Sequence, residues 1–243
     1  MFLSTLWRGC RLSALGLRRS HTAPLNVASS EDFKLWPAFI SHTEQQLLLL
    51  TSLKLLDLKE SKKLRNKRKL LSKASPSSLL DVFYPDEYYD FHEGHYDGVI
   101  HNYREMHLSS WPEAETPGLT PILERLRTLY PTSEPTQTHL LHLASNGEIL
   151  PHVDNTSASG AWIMGVSLGA ERTLRMQNVH DDRDNFSMTL PSGSVYLQKD
   201  AIRYQYVHSI LSSLNAGQRL SIMIRVRKAI SSIRITLTSV PSR

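Results

Sequence analysis

His152 and Asp154 stand two positions apart in the run Pro151-His152-Val153-Asp154-Asn155. Residues i and i+2 of a strand point to the same face, so both side chains can reach one ion. His208, in Tyr206-Val207-His208-Ser209-Ile210, offers a second imidazole later in the chain. Two imidazoles and one carboxylate on one face form a facial triad with open coordination positions, a set whose usual occupant is Fe(II). The open positions admit a cosubstrate and oxygen.

The H-x-D spacing alone is weak, because short motifs recur by chance about 0.5 times in a chain of this composition. It occurs three times, at His95/Asp97, His152/Asp154 and His180/Asp182. His95/Asp97 lies in a stretch without strand texture, and His180/Asp182 lies in a polar run that reads as an exposed hairpin loop. Only the middle pair opens a β-rich region with a histidine downstream. Beyond His208 comes Gly217-Gln218-Arg219-Leu220-Ser221-Ile222-Met223-Ile224-Arg225. Alternation sets Arg219, Ser221, Met223 and Arg225 on one face and Leu220, Ile222 and Ile224 on the other. An arginine projecting into a barrel requires an anion, since a lone buried charge is expensive. A dicarboxylate supplies one through a bidentate pair. The plain alternative is a surface ion pair.

Strands must position these residues. From about residue 137, short apolar runs (THLLHLAS, AWIMGVSL, ERTLRMQ, FSMTL, GSVYLQ, YQYVHSIL, RLSIMIRV) alternate with turn residues such as Asn146-Gly147, Ser159-Gly160, Gly169 and Pro191-Ser192-Gly193. Short strands at such spacing indicate a β-sandwich or jelly roll, including a cupin-like roll that holds an unrelated metal or sugar. Ahead of it, Ser41-His42-Thr43-Glu44 has capping-box spacing and opens a leucine-rich helix. Residues 117–130 form a second helix, with Leu119, Ile122, Leu123 and Leu126 at i, i+3, i+4 and i+7. Residues 79–112 have no clean period, and residues 75–78 read as a linker.

Composition narrows the class. The 243 residues are 40% hydrophobic and 21% charged, with a formal charge of +5; that is ordinary globular usage. A single cysteine excludes a disulfide framework, zinc fingers and Fe–S ligation. Residues 1–30 hold Arg8, Arg11, Arg18 and Arg19 and no acid, which reads as a mitochondrial transit peptide. Its removal takes four arginines and Cys10, leaving 24 basic against 23 acidic residues. Residues 59–73 (KESKKLRNKRKLLSK) carry eight Lys or Arg and one Glu, a net of +7. The rest of the mature chain is then −6. The basic run is either a solvated helix end or a contact for RNA, DNA or an anionic membrane surface.

The ordered set His152-x-Asp154, His208 and Arg219-x5-Arg225 within short strands resembles the AlkB family of Fe(II)/2-oxoglutarate dioxygenases. A mitochondrial branch of that family is similar in further detail. The stretch from Tyr96-Asp97-Gly98 to Arg104-Glu105, followed by Trp111, looks like its segment upstream of the metal site. GEILPHVD, GVSL and GSVYLQKDAIRYQYVHSIL look like its metal-binding strands. The resemblance runs over residues 31–228. It implies an α+β fold: a double-stranded β-helix (jelly-roll, cupin-like) core with N-terminal helices packed on one side. The expected organisation is a transit peptide at 1–25, a helical and basic segment at 26–75, the dioxygenase jelly roll at 76–230 and a tail at 231–243.

By the same resemblance His152, Asp154 and His208 are the catalytic iron ligands. Arg219 pairs with the distal carboxylate of 2-oxoglutarate, and Tyr196 hydrogen-bonds it. Arg225 faces the substrate side of the iron and His139 touches the cosubstrate. Fe(II) and 2-oxoglutarate are the implied cofactors, with O2 as the other cosubstrate. The implied reaction oxidises a C–H or N-methyl group, on a protein substrate first and on methylated mitochondrial RNA as the alternative; DNA is not expected. The implied setting is a monomer in the mitochondrial matrix with no transmembrane segment, acting in stress, cell-death or fat-metabolism control. A non-catalytic regulatory or binding protein that retains the barrel is the competing reading. One departure stands out. Family members that repair nucleic acid bind the cosubstrate through an Asn-x-Tyr set upstream of the H-x-D, and Leu141-His142-Leu143 stands there.

Overall fold

The computed structural model describes residues 29–71, 78–212 and 217–227. The expected transit peptide, Cys10, most of the 75–78 linker and the tail at 231–243 lie outside the described residues. In chain order the elements are β1 (Ser29–Ser30), β2 (Phe33–Trp36), α1 (His42–Asp57), α2 (Lys62–Lys69), β3 (His92–Gly94), β4 (Ile100–Leu108), α3 (Leu119–Arg127), β5 (Thr136–His152), β6 (Ser159–Gly169), β7 (Arg172–Asn178), β8 (Asn185–Leu190), β9 (Val195–Lys199), α4 (Asp200–Gln205), β10 (Tyr206–Ile210) and β11 (Arg219–Arg227). Every strand pairing among them is antiparallel.

The strand order β1-β2-β9-β6-β11-β5-β10-β7-β8, with β4 also on β5 and β3 on β4, curls into a jelly roll. β5 belongs to both of its walls. Its first half lies between β11 and β4, with Leu143 opposite Arg219 on one side and Tyr103 on the other. Its last residues pair with β10, His152 opposite His208. Between the halves the register slips. Asn146-Gly147, expected as a turn, instead forms a bulge inside β5. A Cβ on Gly147 would lie 2.6 Å from the Asn102 carbonyl oxygen, so only glycine lets the two backbones close up.

Two apolar layers hold the walls. Outside, α1 and α3 cover β5, β6, β9 and β11. Leu48, Leu49, Leu53 and Leu56 recur at helical spacing on α1, and Leu119, Ile122, Leu123 and Leu126 on α3. These meet Leu140, Trp162, Met164, Val166, Leu220, Ile222 and Ile224. Between the walls, Phe33, Tyr103, Leu141, Leu143, Ile149, Leu174, Met176 and Ile210 form the second layer. The helices therefore sit on one side of the roll, as expected. Ser41 caps α1; its N–H donates to the Glu44 carboxylate at 2.8 Å. That carboxylate receives both Nη of Arg125 at 2.7 Å, which ties α1 to α3.

Two features differ from the sequence reading. The expected boundary at 75/76 does not separate the N-terminal segment from the roll, because β2 pairs with β9 along Phe33↔Gln198 to Trp36↔Val195. β4 falls in the stretch that shows no period. α2, cut from the basic run, is held by charge: buried Arg68 contacts Glu60 and lies 2.9 Å from Asp57. Arg104 of β4 reaches the same acids at 2.8 and 2.9 Å. Both guanidinium groups stack over the Tyr89 ring. Among the described residues no helix is long and apolar enough to cross a membrane.

Candidate metal centre and cosubstrate cavity

The pairing of β5 with β10 sets the first three residues. His152 and His208 are direct partners across the ladder, with ring centroids 4.3 Å apart. Asp154, two residues past the end of β5, brings its carboxylate to both rings. One oxygen lies 3.6 Å from His152 Nε2 and the other 3.6 Å from His208 Nε2. His152 Nδ1 donates to the Leu150 carbonyl at 2.9 Å, which leaves Nε2 as the free lone pair facing the aspartate. One donor atom from each of the three residues fits within a 4.8 Å cluster.

Electrostatics keep this set ready for a cation. Burial alone would raise the Asp154 carboxyl, but His208, His152 and Arg203 outweigh it and hold the group well below the usual range. Burial pushes His208 down to about 4, so its ring is neutral at physiological pH. Burial also opposes protonation of His152, yet Asp154 overcomes it and the net direction is upward. Asp154 Oδ2 is buried and has no hydrogen-bond partner. A buried anionic oxygen without a donor is costly, and a divalent cation removes the cost. The residues present fit Fe(II).

β11 supplies the opposite end of the cavity. Arg219 is buried; its Nε donates to Ser167 Oγ at 3.1 Å and one Nη contacts Ser221 Oγ. The other Nη has no hydrogen-bond partner, and among the described residues no carboxylate forms an ion pair with the group. Burial lowers its pKa to about 10, with the cation still dominant at neutral pH. Tyr196 of β9 lies alongside. Burial pushes its phenol up to about 12, so it remains a hydroxyl donor. A Cβ on Gly165 would approach that ring to 2.4 Å, so glycine makes room for the tyrosine. One unpaired buried guanidinium beside a phenol is a seat for a carboxylate.

These groups line one cavity of about 460 Å³. Met223 and Arg225 extend the β11 wall, and Arg225 Nε is buried without a partner. His139 also lines it, but its Nε2 lies 2.7 Å from Glu105 of β4 and its ring stacks on His107 at 4.3 Å. At the Asn-x-Tyr position, Leu141 lines the cavity, whereas His142 points away, fully buried between Arg104 and Gln218 at 2.9 and 3.0 Å. At this point of the cavity wall the chain therefore presents an apolar side chain, Leu141.

Sequence reasoning missed the rim. The β3–β4 hairpin brings His95 and Asp97 to the cavity, 2.7 Å apart, although their stretch lacked strand texture. Glu105 adds a second carboxylate, lowered by His139 against the opposing effect of burial. The first of the three H-x-D pairs is therefore part of the site's surroundings. His180/Asp182 lies in the β7–β8 loop and does not line the cavity. Arg203 of α4 also escaped notice; it donates to Ser159 Oγ at 2.6 Å and leaves two nitrogens unpartnered near Asp154. No spacing in the sequence marks it.

Residues 32–239 match the profile of the 2OG-Fe(II) oxygenase superfamily. The chain is 30% identical over 145 residues to the mitochondrial alpha-ketoglutarate-dependent dioxygenase alkB homolog 7 of Bos taurus. The Mus musculus protein of the same name is 29% identical over 145 residues. Each match covers 54% of this chain and 63% of the relative, so the chain spans less than two thirds of the curated relatives' length. Among solved structures, a prolyl hydroxylase from Trichoplax adhaerens, in complex with a hypoxia inducible factor peptide fragment, has a TM-score of 0.50. It shares 9% identity, with 83% of this chain and 86% of that one covered, a likeness of fold alone.

Proposed function

Because the chain belongs to the 2OG-Fe(II) oxygenase superfamily, we propose that it is a dioxygenase in which His152, Asp154 and His208 hold Fe(II) and Arg219 seats 2-oxoglutarate. One observation carries the reading. A buried, unpartnered Asp154 oxygen and a buried, unpartnered Arg219 nitrogen line the same cavity. Fe(II) with bound 2-oxoglutarate supplies O2-dependent oxidation, in which the cosubstrate becomes succinate and carbon dioxide and a substrate C–H becomes C–OH.

The protein's own contribution is positional. The Leu150 carbonyl fixes the His152 tautomer, which aims Nε2 inward. Arg219, anchored by Ser167 and Ser221, offers its free nitrogen to the distal carboxylate, and Tyr196 adds a hydroxyl donor. Arg225 faces the substrate side of the iron and His139 adds a contact to the cosubstrate; both line the same cavity. Against burial, His208 and His152, with a smaller contribution from Arg203, keep Asp154 ionised.

The rim favours a protein substrate. Asp97 and Glu105 are both held as carboxylates beside the cavity, and a phosphodiester brought there meets like charge. Hydroxylation of a side chain is therefore preferred to demethylation of mitochondrial RNA, and DNA is disfavoured further. The named relatives support a mitochondrial location. Residence in the matrix and a part in stress, cell-death or fat-metabolism control are implied by the family resemblance of the sequence and go beyond what those names say.

The test is spectroscopic. Anaerobic Fe(II) with 2-oxoglutarate should give a visible metal-to-ligand charge-transfer band that His208→Ala abolishes. Oxygen admission should then release succinate. Absence of the band overturns the reading; a band with no succinate makes the protein a binding module.

A further inference from the structure

The cations of α2 are unused by the oxidation site. At ~100° per residue, Lys69, Lys62, Asn66, Leu70, Lys63 and Lys67 share one arc of roughly 160°. All six are exposed, while Arg68 on the opposite side is buried against Asp57 and Glu60. Those two acids are engaged by Arg68 and Arg104, so they do not neutralise the arc.

The arc also carries apolar surface. Leu70 is 86% exposed near its centre, flanked by lysines on both sides. Leu58, 65% exposed, borders the same groove as Lys62, Asn66 and Lys69. A lysine arc alone would suit any polyanion. Two leucines projecting from it gain nothing from a phosphodiester backbone, but they gain from burial among acyl chains. Among the described residues no exposed aromatic stands on this face to stack bases: Tyr84 and Tyr88 are half-buried, and Lys67 covers the Tyr88 ring at 4.2 Å.

We propose that the exposed face of α2, with Leu58, is a docking surface for an anionic lipid bilayer. Lysines supply attraction to acidic headgroups, and the leucines enter the interface. Each signal is marginal by itself, and together they make a reversible anchor. Docking here also orients the cavity. Arg104, whose partners tie down α2, and Glu105, which lines the cavity rim, are neighbours on β4 and point to opposite faces. The bilayer would therefore lie behind the sheet, leaving the cavity open to the aqueous side.

Full-length protein is co-sedimented with phosphatidylcholine vesicles and with phosphatidylcholine–phosphatidylglycerol vesicles. Wild type should partition onto the phosphatidylglycerol-containing vesicles only. Lys62→Glu/Lys69→Glu should weaken this by at least about 30-fold, since each lysine near the surface matters by about fivefold. Leu58→Ser/Leu70→Ser should weaken it by about tenfold and leave a remnant that high salt abolishes. All four sites are exposed, and unchanged unfolding temperatures tie the losses to the surface. Failure of wild type to bind anionic vesicles, equal binding to both vesicle types, or a leucine variant that binds like wild type overturns the proposal. So does binding of structured RNA in preference to the vesicles.

Discussion

Strand β11 separates two environments along a single backbone. Leu220, Ile222, Ile224 and Val226 face α1 and α3, and all are buried in an apolar layer. Arg219, Ser221, Met223 and Arg225 alternate with them and face the cavity. On the first face every side chain finds apolar contact. On the second, Arg219 and Arg225 each keep a buried nitrogen without a partner. Natural cores satisfy such atoms, so a face that leaves two unsatisfied is shaped for something that arrives later. One face stabilises the fold and the other costs stability in return for binding.

The largest effect expected from this contrast is on the cavity face. Removing one partner of a buried ion pair costs about 3–5 kcal/mol, which predicts that Arg219→Met, lacking the free nitrogen proposed to meet the cosubstrate carboxylate, weakens 2-oxoglutarate binding by at least about 100-fold. The same variant should lose no thermal stability without cosubstrate, because it removes an uncompensated buried charge. Titration calorimetry with Fe(II) present and thermal unfolding of the metal-free protein read the two halves. A variant that unfolds early and still binds would reverse the assignment of roles.

Ile222→Ala is the mirror experiment. Ile222 is 1% exposed between β11 and the helices, and truncation there should cost about 2–5 kcal/mol in denaturant unfolding. Cosubstrate affinity of the folded protein should stay within about twofold of wild type. If affinity falls as far as in Arg219→Met, the two faces are not energetically separate.

The same contrast explains what could be read from sequence. β11 is legible because one face is uniformly apolar, so alternation is plain. The His152/Asp154 pair is legible because a strand fixes i and i+2. β4 is opaque for the opposite reason. Arg104 points to the buried charges behind the sheet and Glu105 to the cavity, so polar residues occupy both faces and no period survives. The rim residues His95, Asp97 and Glu105 are opaque with it, because only the β4–β5 pairing brings them to the site. The bulge at Gly147 reads as a turn because Asn-Gly favours one; tertiary pairing with β4 overrides that local preference.

The smallest effect concerns the polar tie within the helix layer. Arg125 of α3 holds Glu44 of α1 through two contacts of 2.7 Å. That hydrogen-bonded arginine, opposed by burial and assisted by the Ser41 N–H and hydroxyl, lowers the Glu44 carboxyl from 4.5 to about 2. A folded-state value below the unfolded one means the unfolded chain binds more protons between the two. The pair's stabilisation is therefore complete above about 4.5 and disappears as pH falls toward about 2. Both side chains are partly exposed, Glu44 at 23% and Arg125 at 40%, so screening limits the contribution to about 1 kcal/mol or less. Arg125→Met should thus be less stable than wild type by that amount at neutral pH. The difference should narrow below pH 4.5 and close near pH 2. Parallel urea unfolding of the two proteins across that range measures it. A gap that stays constant with pH would trace the loss to packing of the guanidinium over Phe39, 5.2 Å from its ring centre, rather than to the ion pair.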